Sequence, residues 1–234
     1  MRLDVALTPA LLRRAEETVA IVVDVLRASS VCVTLFDRGI ESIAVAPDPA
    51  TAMTLRSQVL PQALLCGEIG GLPPDGFDYG NSPVEFSRLD LRGRQAILST
   101  SNGTRALHAL VRTPEVFVGC LLNRSAVCLK AFAVARRLGT GITVVCAGND
   151  LGTAFSLDDC FTAGALVAFL QSCQDGEESE PAFILTDAAR AAFQLYDAYR
   201  GDALTAFREA LHGRALEELG FAADLARCSE MDRS

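Results

Sequence analysis

Short runs of apolar, often β-branched residues recur through the first two thirds of the chain. They are RLDVAL (2–7), VAIVVDV (19–25), SIAVA (42–46), ALLCG (63–67), QAILST (95–100), EVFVG (115–119) and ITVVCA (142–147). They are mostly continuously apolar rather than alternating, which suits strands covered on both faces. Between them lie patterns of helical period near 28–38, 48–59, 103–112 and 123–138. This alternation predicts an α/β layered fold with a largely parallel sheet. From about Ser156 onward the pattern becomes mostly helical. The acidic stretch QDGEESEP (174–181) reads as a surface loop inside a single domain spanning 1–234. One connection is long: GEIGGLPPDGFDYGNSP, from Gly67 to Pro83, carries five glycines and three prolines. Loops of that length inside a domain are usually functional or disordered, and Phe77 and Tyr79 offer this one an anchor, which favours function.

Composition narrows the function classes. Half of the 234 residues are hydrophobic and the formal net charge is −8. An acidic chain lacks the basic face that neutralises phosphate backbones, so nucleic acid is not an expected partner. The N-terminus has no signal-peptide pattern and no apolar run approaches the roughly 20 residues of a membrane span. A cytoplasmic protein without membrane association is expected, and the apolar content would permit a homodimer. Eight cysteines occur without a C-x-x-C pair, most inside apolar runs, and read as reduced, buried thiols. The two histidines, His108 and His212, have no ligand-like neighbours in sequence, which argues against zinc.

In open α/β sheets ligands bind at the carboxyl ends of the strands, and those ends are chemically rich here. They carry Asp24, Arg27 and Ser29; Glu68; Ser99, Thr100, Ser101 and Asn102; Asn123 and Ser125; and Asn149 and Asp150, with Asp158 and Asp159 soon after. Carboxylates, an arginine and hydroxyls together suit a hard divalent cation and a phosphate. Each element also has a plainer explanation. Asp24 could cap the next helix, Ser156-Leu157-Asp158-Asp159 reads as a capping box, and Asn102-Gly103 as a turn. Neither a P-loop nor a dinucleotide fingerprint occurs. Cys32 and Arg38 have the C-x5-R spacing of cysteine phosphatases, but the intervening VTLFD is apolar and helical, so it builds no phosphate cradle.

Taken in order, VVDVLRASS, GEIGG, GFDYGNSPVEF, STSNGTRAL, LLNRSAV, VVCAGND and FSLDDCFTAGAL resemble the magnesium-dependent 2-phosphosulfolactate phosphatases, the ComB family. The late stretch LHGRALEELGFAADLARCSEMD resembles that family's C-terminal segment. The resemblance implies a three-layer α/β/α sandwich with a largely parallel or mixed sheet. It implies hydrolysis of 2-phospho-3-sulfolactate to 3-sulfolactate and phosphate, a step of coenzyme M biosynthesis, with Mg²⁺ as cofactor and a small phosphorylated molecule as partner. Asp24, Arg27 and Glu68 would be catalytic. Asp24, Glu68 and one of Asp158 or Asp159 would hold the metal. Asn81, Ser82, Ser99, Thr100, Ser101, Asn102, Gly103, Thr104 and Asn123 would contact substrate. The attacking group stays open between Asp24 and metal-activated water. Two positions depart from the family pattern: Ile69 stands where Arg is usual, and Asp158 where Glu is usual. Another phosphorylated small acid as substrate, or an anion-binding protein without catalysis, are the competing readings.

Overall fold

The computed structural model describes residues 1–13, 15–173 and 183–234, so the expected loop 174–181 lies outside the described residues. In chain order the elements are β1 (Arg2–Ala6), β2 (Thr18–Val23), α1 (Ala28–Asp37), β3 (Ser42–Val45), α2 (Pro49–Gln58) and β4 (Leu64–Gly67). Then come α3 (Pro83–Phe86), β5 (Gln95–Ser99), α4 (Gly103–Ala109), β6 (Glu115–Val118), α5 (Arg124–Leu138) and β7 (Gly141–Cys146). The remainder is α6 (Leu157–Ser172), β8 (Ile184–Leu185), α7 (Asp187–Ala198), α8 (Ala203–Glu209), α9 (Leu211–Glu218) and α10 (Ala222–Cys228).

All seven expected strands and four expected helices form. The strands divide into two sheets, ordered β6-β2-β7-β1-β8 and β3-β5-β4, and every pairing is parallel. Two elements were not legible. β8 is two residues long and exists only by pairing with β1. α3 is a single turn started by Ser82 and Pro83 at the end of the glycine loop.

The period-two alternation of side chains sorts each sheet into two faces. In the larger sheet Leu3, Val5, Val19, Ile21, Val23, Ile142 and Val144 pack with Val127 and Ala131 of α5 and Leu166 of α6. The opposite face carries Ala6, Ala20, Val22 and Val145 and meets Ala106 of α4 and the adjoining Leu110. In the smaller sheet Leu64, Cys66, Ala96 and Leu98 pack on Val31 and Leu35 of α1, while Leu65 and Ile97 meet Ala52 of α2. Helices thus cover both faces of the sheets, the three-layer arrangement. Among the described residues no helix is long and apolar enough to cross a membrane.

The carboxyl ends of β4 and β5 adjoin, and so do those of β2 and β7. Gly67 closes the first of these junctions. Its φ is +154°, and a Cβ there would lie 1.9 Å from the Ser99 carbonyl oxygen. Gly67→Ala is therefore expected to lower stability by roughly 2–4 kcal/mol through strain and overpacking, as read by urea denaturation.

Candidate active site

Asp24 follows β2 directly and is buried. Its carboxylate accepts the Ala28 N–H at 3.3 Å, and its own N–H donates to Ser29 Oγ at 2.8 Å, so the capping reading of Asp24 holds for one oxygen. The other oxygen faces the start of α4. A Cβ on Gly103 would come within 2.5 Å of Asp24 Oδ2 and 2.7 Å of Ala28 Cβ, so only glycine lets that turn approach the carboxylate so closely.

The turn before α4 uses most of its hydroxyls on itself. Thr104 Oγ1 donates to the Thr100 carbonyl at 2.8 Å, and Thr100 Oγ1 accepts the Thr104 N–H at 3.2 Å. Ser99 is buried and presents its carbonyl to the Glu68 N–H at 3.0 Å. Glu68 in turn accepts the Ser101 N–H at 2.7 Å on one oxygen and the Gly71 N–H at 2.9 Å on the other. Its carboxylate thereby staples the glycine loop to the β5–α4 turn.

At the start of α6, Ser156 caps the helix by accepting the Asp159 N–H at 3.3 Å and donates its hydroxyl to Asp158. Asp159 receives the Val25 N–H at 2.9 Å and the Gly148 N–H at 3.0 Å, one on each oxygen. It is a clamp between the ends of β2 and β7.

Glu68, Ser101 and Asn102 line a cleft of about 390 Å³ together with Gly70, Asn149, Asp150, Leu151, Leu211, His212 and Ala215. That volume falls in the range of small-molecule sites. Asp150 and Leu151 hold left-handed backbone, with φ of 49° and 59°, a strain that is costly for residues with a Cβ and that clusters at ligand sites. Asn102 Oδ1 is buried without a hydrogen-bond partner. Burial pushes the Asp24 carboxyl up to about 6, reinforced by the charges of Glu68 and Asp158 and opposed by His212. Burial likewise raises Asp158, against its Ser156 hydrogen bond and His212, and raises Asp159 well above the usual carboxylate range, with Asp158 and Asp24 adding to it. The site is short of positive charge, and neither Lys nor Arg is among the residues lining the cleft.

Other expected residues lie elsewhere or are otherwise engaged. Arg27 is fully buried: its guanidinium donates to Asp224 at 2.8 Å and to the Gly71 carbonyl at 2.8 Å, and stacks 4.3 Å from the centre of the Phe221 ring. Through these contacts it braces the glycine loop against α10. Ser82 donates to the same Asp224 at 2.7 Å and caps α3. Asn81 lines a separate cavity of about 640 Å³ on the other side of the glycine loop, beside Phe77, Tyr79 and Phe221. Asn123 faces an apolar cleft between β3 and β6, and its side chain serves its own turn through the Cys120 N–H and the Val118 carbonyl. No three of His, Cys, Asp and Glu come together as a ready metal cage among the described residues. Seven of the eight cysteines are buried free thiols, and burial pushes Cys32 up to about 12, far from a thiolate nucleophile.

Sequence reasoning passed over His212. It sits 188 positions after Asp24, in a helix whose local pattern is amphipathic and unremarkable, and its neighbour supplies the only local signal. A Cβ on Gly213 would lie 1.7 Å from the Phe207 carbonyl oxygen, so glycine lets α9 fold tightly against α8 and carry His212 to the cleft.

Parallel sheets covered by helices define an α/β protein, and its carboxylate-bearing cleft lies at the strand ends, where such folds carry their ligand sites. The chain belongs to the 2-phosphosulpholactate phosphatase family, whose profile matches residues 6–234. It is 37% identical over 217 residues to a protein of Deinococcus radiodurans named probable 2-phosphosulfolactate phosphatase, covering 92% of this chain and 85% of that one. A protein of the same name from Thermosynechococcus vestitus is 38% identical over 215 residues, covering 91% and 85%.

The bracing role of Arg27 has a direct consequence. Removing its partner leaves a buried charge uncompensated, so Asp224→Ala is expected to lower stability by about 3–5 kcal/mol in urea denaturation. Asp90→Ala, whose carboxylate meets Arg92 on the surface, serves as a comparison expected to leave the urea midpoint nearly unchanged.

Proposed function

We propose that the protein is a Mg²⁺-dependent, cytoplasmic phosphoric monoester hydrolase that converts 2-phospho-3-sulfolactate to 3-sulfolactate and phosphate, the reaction type of coenzyme M biosynthesis. The observation that carries this reading is the cleft itself: Glu68 and Asp150 in its wall, Asp24 with its carboxyl raised by burial and by the charge of Glu68, the hydroxyl and amide groups of Ser101 and Asn102, and no Lys or Arg among the lining residues. A phosphate dianion would be repelled from such a cleft unless a cation came with it. The residues fit a hard divalent ion, since Mg²⁺ is held by one or two carboxylates plus substrate and water oxygens rather than by a closed protein cage. Family membership and the names of the relatives support the substrate.

Asp24 and Asp158 would hold the cation, which when bound polarises the phosphoryl group and offsets the charge developing on it. Ser101 and Asn102 contact phosphate oxygens through the groups that can donate, the Ser101 hydroxyl and the Asn102 side-chain NH₂. Glu68 fixes the Ser101 main chain, so the wall is set before substrate arrives, as charge-stabilising catalysis requires. Asp24 cannot both bind a cation tightly and attack phosphorus, so the attacking oxygen is assigned to water.

A second reading, hydrolysis of another phosphorylated small acid, is favoured by Ile69. This residue is 60% exposed in the Ile69–Leu72 turn beside the cleft, where a guanidinium would help to hold a second anionic group. A panel of phosphorylated 2-hydroxy acids, assayed with Mg²⁺ and with chelator, tests both. Hydrolysis of 2-phosphosulfolactate that vanishes with chelator and returns with Mg²⁺ is the expected result; activity confined to non-sulfonated esters would select the second reading. Asp24→Asn is expected to lower turnover at least about 100-fold in the same assay. Ile69→Arg is expected to lower KM for the sulfonated ester by roughly two- to fivefold, the scale of one exposed ion pair.

A further inference from the structure

We propose that His212 is a catalytic residue of this site, the proton donor to the leaving oxygen of the phosphate ester. The inference rests on the phosphatase reading above and adds a residue to it. Its first support is position. His212, in the first turn of α9, lines the same cleft as Glu68, Ser101 and Asn102, and Gly213 and buried Leu216 hold that helix in place. Its second support is availability. Glu68, Thr100, Thr104 and Asp159 all spend their polar atoms on the fold. Among the described residues the imidazole of His212 makes no hydrogen bond. Two of the other charged residues of its own helix are turned to α8: Arg214 donates to the Glu209 carbonyl at 2.6 Å, and Glu217 pairs with Arg208 at 3.0 Å.

Its third support is the charge around it. The groups that face His212 are carboxyls: Glu68 and Asp150 in the cleft wall, with Asp24 and Asp158 close enough to feel its charge. The imidazole is the one side-chain nitrogen base in that lining, and neither Lys nor Arg stands there to compete for the part.

The chemistry needs such a group. The leaving oxygen of a phosphorylated 2-hydroxy acid departs as an alkoxide, a strong base that leaves poorly without a proton. In the proposed step the water oxygen bonds to phosphorus as the phosphorus–oxygen bond to the organic part breaks. The electron pair of that bond stays on the leaving oxygen, which takes the proton from the imidazolium N–H. The proton lost by water passes to solvent, and the neutral imidazole regains one from solvent. Ester dianion and water thus become alcohol and hydrogen phosphate dianion. General acid catalysis of this kind contributes on the order of 100- to 10,000-fold.

The test compares wild type, His212→Gln and His212→Ala with 2-phosphosulfolactate and with p-nitrophenyl phosphate, Mg²⁺ present throughout. The aryl ester leaves as a stabilised phenolate that needs no proton, and its turnover also reports that each variant is folded. The expected result is a fall in kcat on the alkyl ester of at least about 100-fold, with KM within twofold. Turnover of the aryl ester should change by less than threefold, and added imidazole should restore part of the alkyl activity of His212→Ala. Equal losses on both esters, no loss on either, or a rise in KM at unchanged kcat overturns the proposal while leaving the phosphatase reading intact. A wild type inert toward every phosphate ester overturns both.

Discussion

The walls of the cleft hang from one buried guanidinium. Arg27 joins the turn after β2 to the Gly71 carbonyl of the glycine loop, to Asp224 of α10 and to the ring of Phe221. Asp224 extends the junction to Ser82 and the Val84 N–H at the start of α3. A buried ion pair adds little net stability over a well-packed apolar substitute, because desolvation consumes most of its attraction. What this pair supplies is placement, since it joins three regions that are distant in the chain: the turn after β2, the glycine loop with α3, and the start of α10. Had the same volume been filled by leucines, the loop, α3 and α10 could pack in several registers; a fork of directed N–H groups admits one.

A second set of bonds carries that placement to the cleft. Gly71 presents its carbonyl to Arg27 and its N–H to Glu68, and the other oxygen of Glu68 holds the Ser101 N–H. The chain of contacts therefore runs from Asp224 through Arg27, Gly71 and Glu68 to the turn that opens α4. Asp159 performs the matching service on the far side, tying Val25 to Gly148. Glu68 and Asp159 are thus carboxylates whose four oxygens each meet a backbone N–H from another segment, whereas Asp158 is held by the Ser156 hydroxyl and the N–H groups of its own helix start, and Asp24 by one long N–H contact on one oxygen. The division separates carboxylates that shape the site from carboxylates free to act in it.

The elements and the location of the site were legible in the sequence, and the duties of individual side chains were much less so. Continuous apolar runs such as VAIVVDV announce strands covered on both faces because hydrophobic burial is a property of the run itself. The position of the site followed from strand ends, again a local property. The duty of Arg27 did not, because its partner Asp224 lies 197 positions away and nothing local distinguishes an arginine that grips a ligand from one that grips the fold. The same limit applies to Ser82, read as a ligand contact and found on Asp224. It applies to Asn123, which strand-end reasoning grouped with the cleft, and to Asn81, which the family resemblance placed there; both face other cavities. The division into two sheets was hidden for a related reason: an apolar run says that a strand is covered, and is silent about which strand it joins.

The serine- and threonine-rich turn from Ser99 to Thr104 shows what that difference means for function. Counted in sequence it offers four hydroxyls and an amide, enough to cradle an anion unaided. In the fold Thr100 and Thr104 satisfy each other and Ser99 is buried, leaving Ser101 and Asn102 on the cleft. Two neutral groups do not offset the carboxyls of Asp24, Asp158 and Glu68 that surround them. Affinity for a phosphate in this cleft must then come from positive charge that the turn does not carry. In the reading proposed above it would come from a divalent ion at Asp24 and Asp158 and from the imidazole that α9 brings to the cleft. On that reading the turn would set where the phosphate lies, and those two groups would decide whether it binds and reacts.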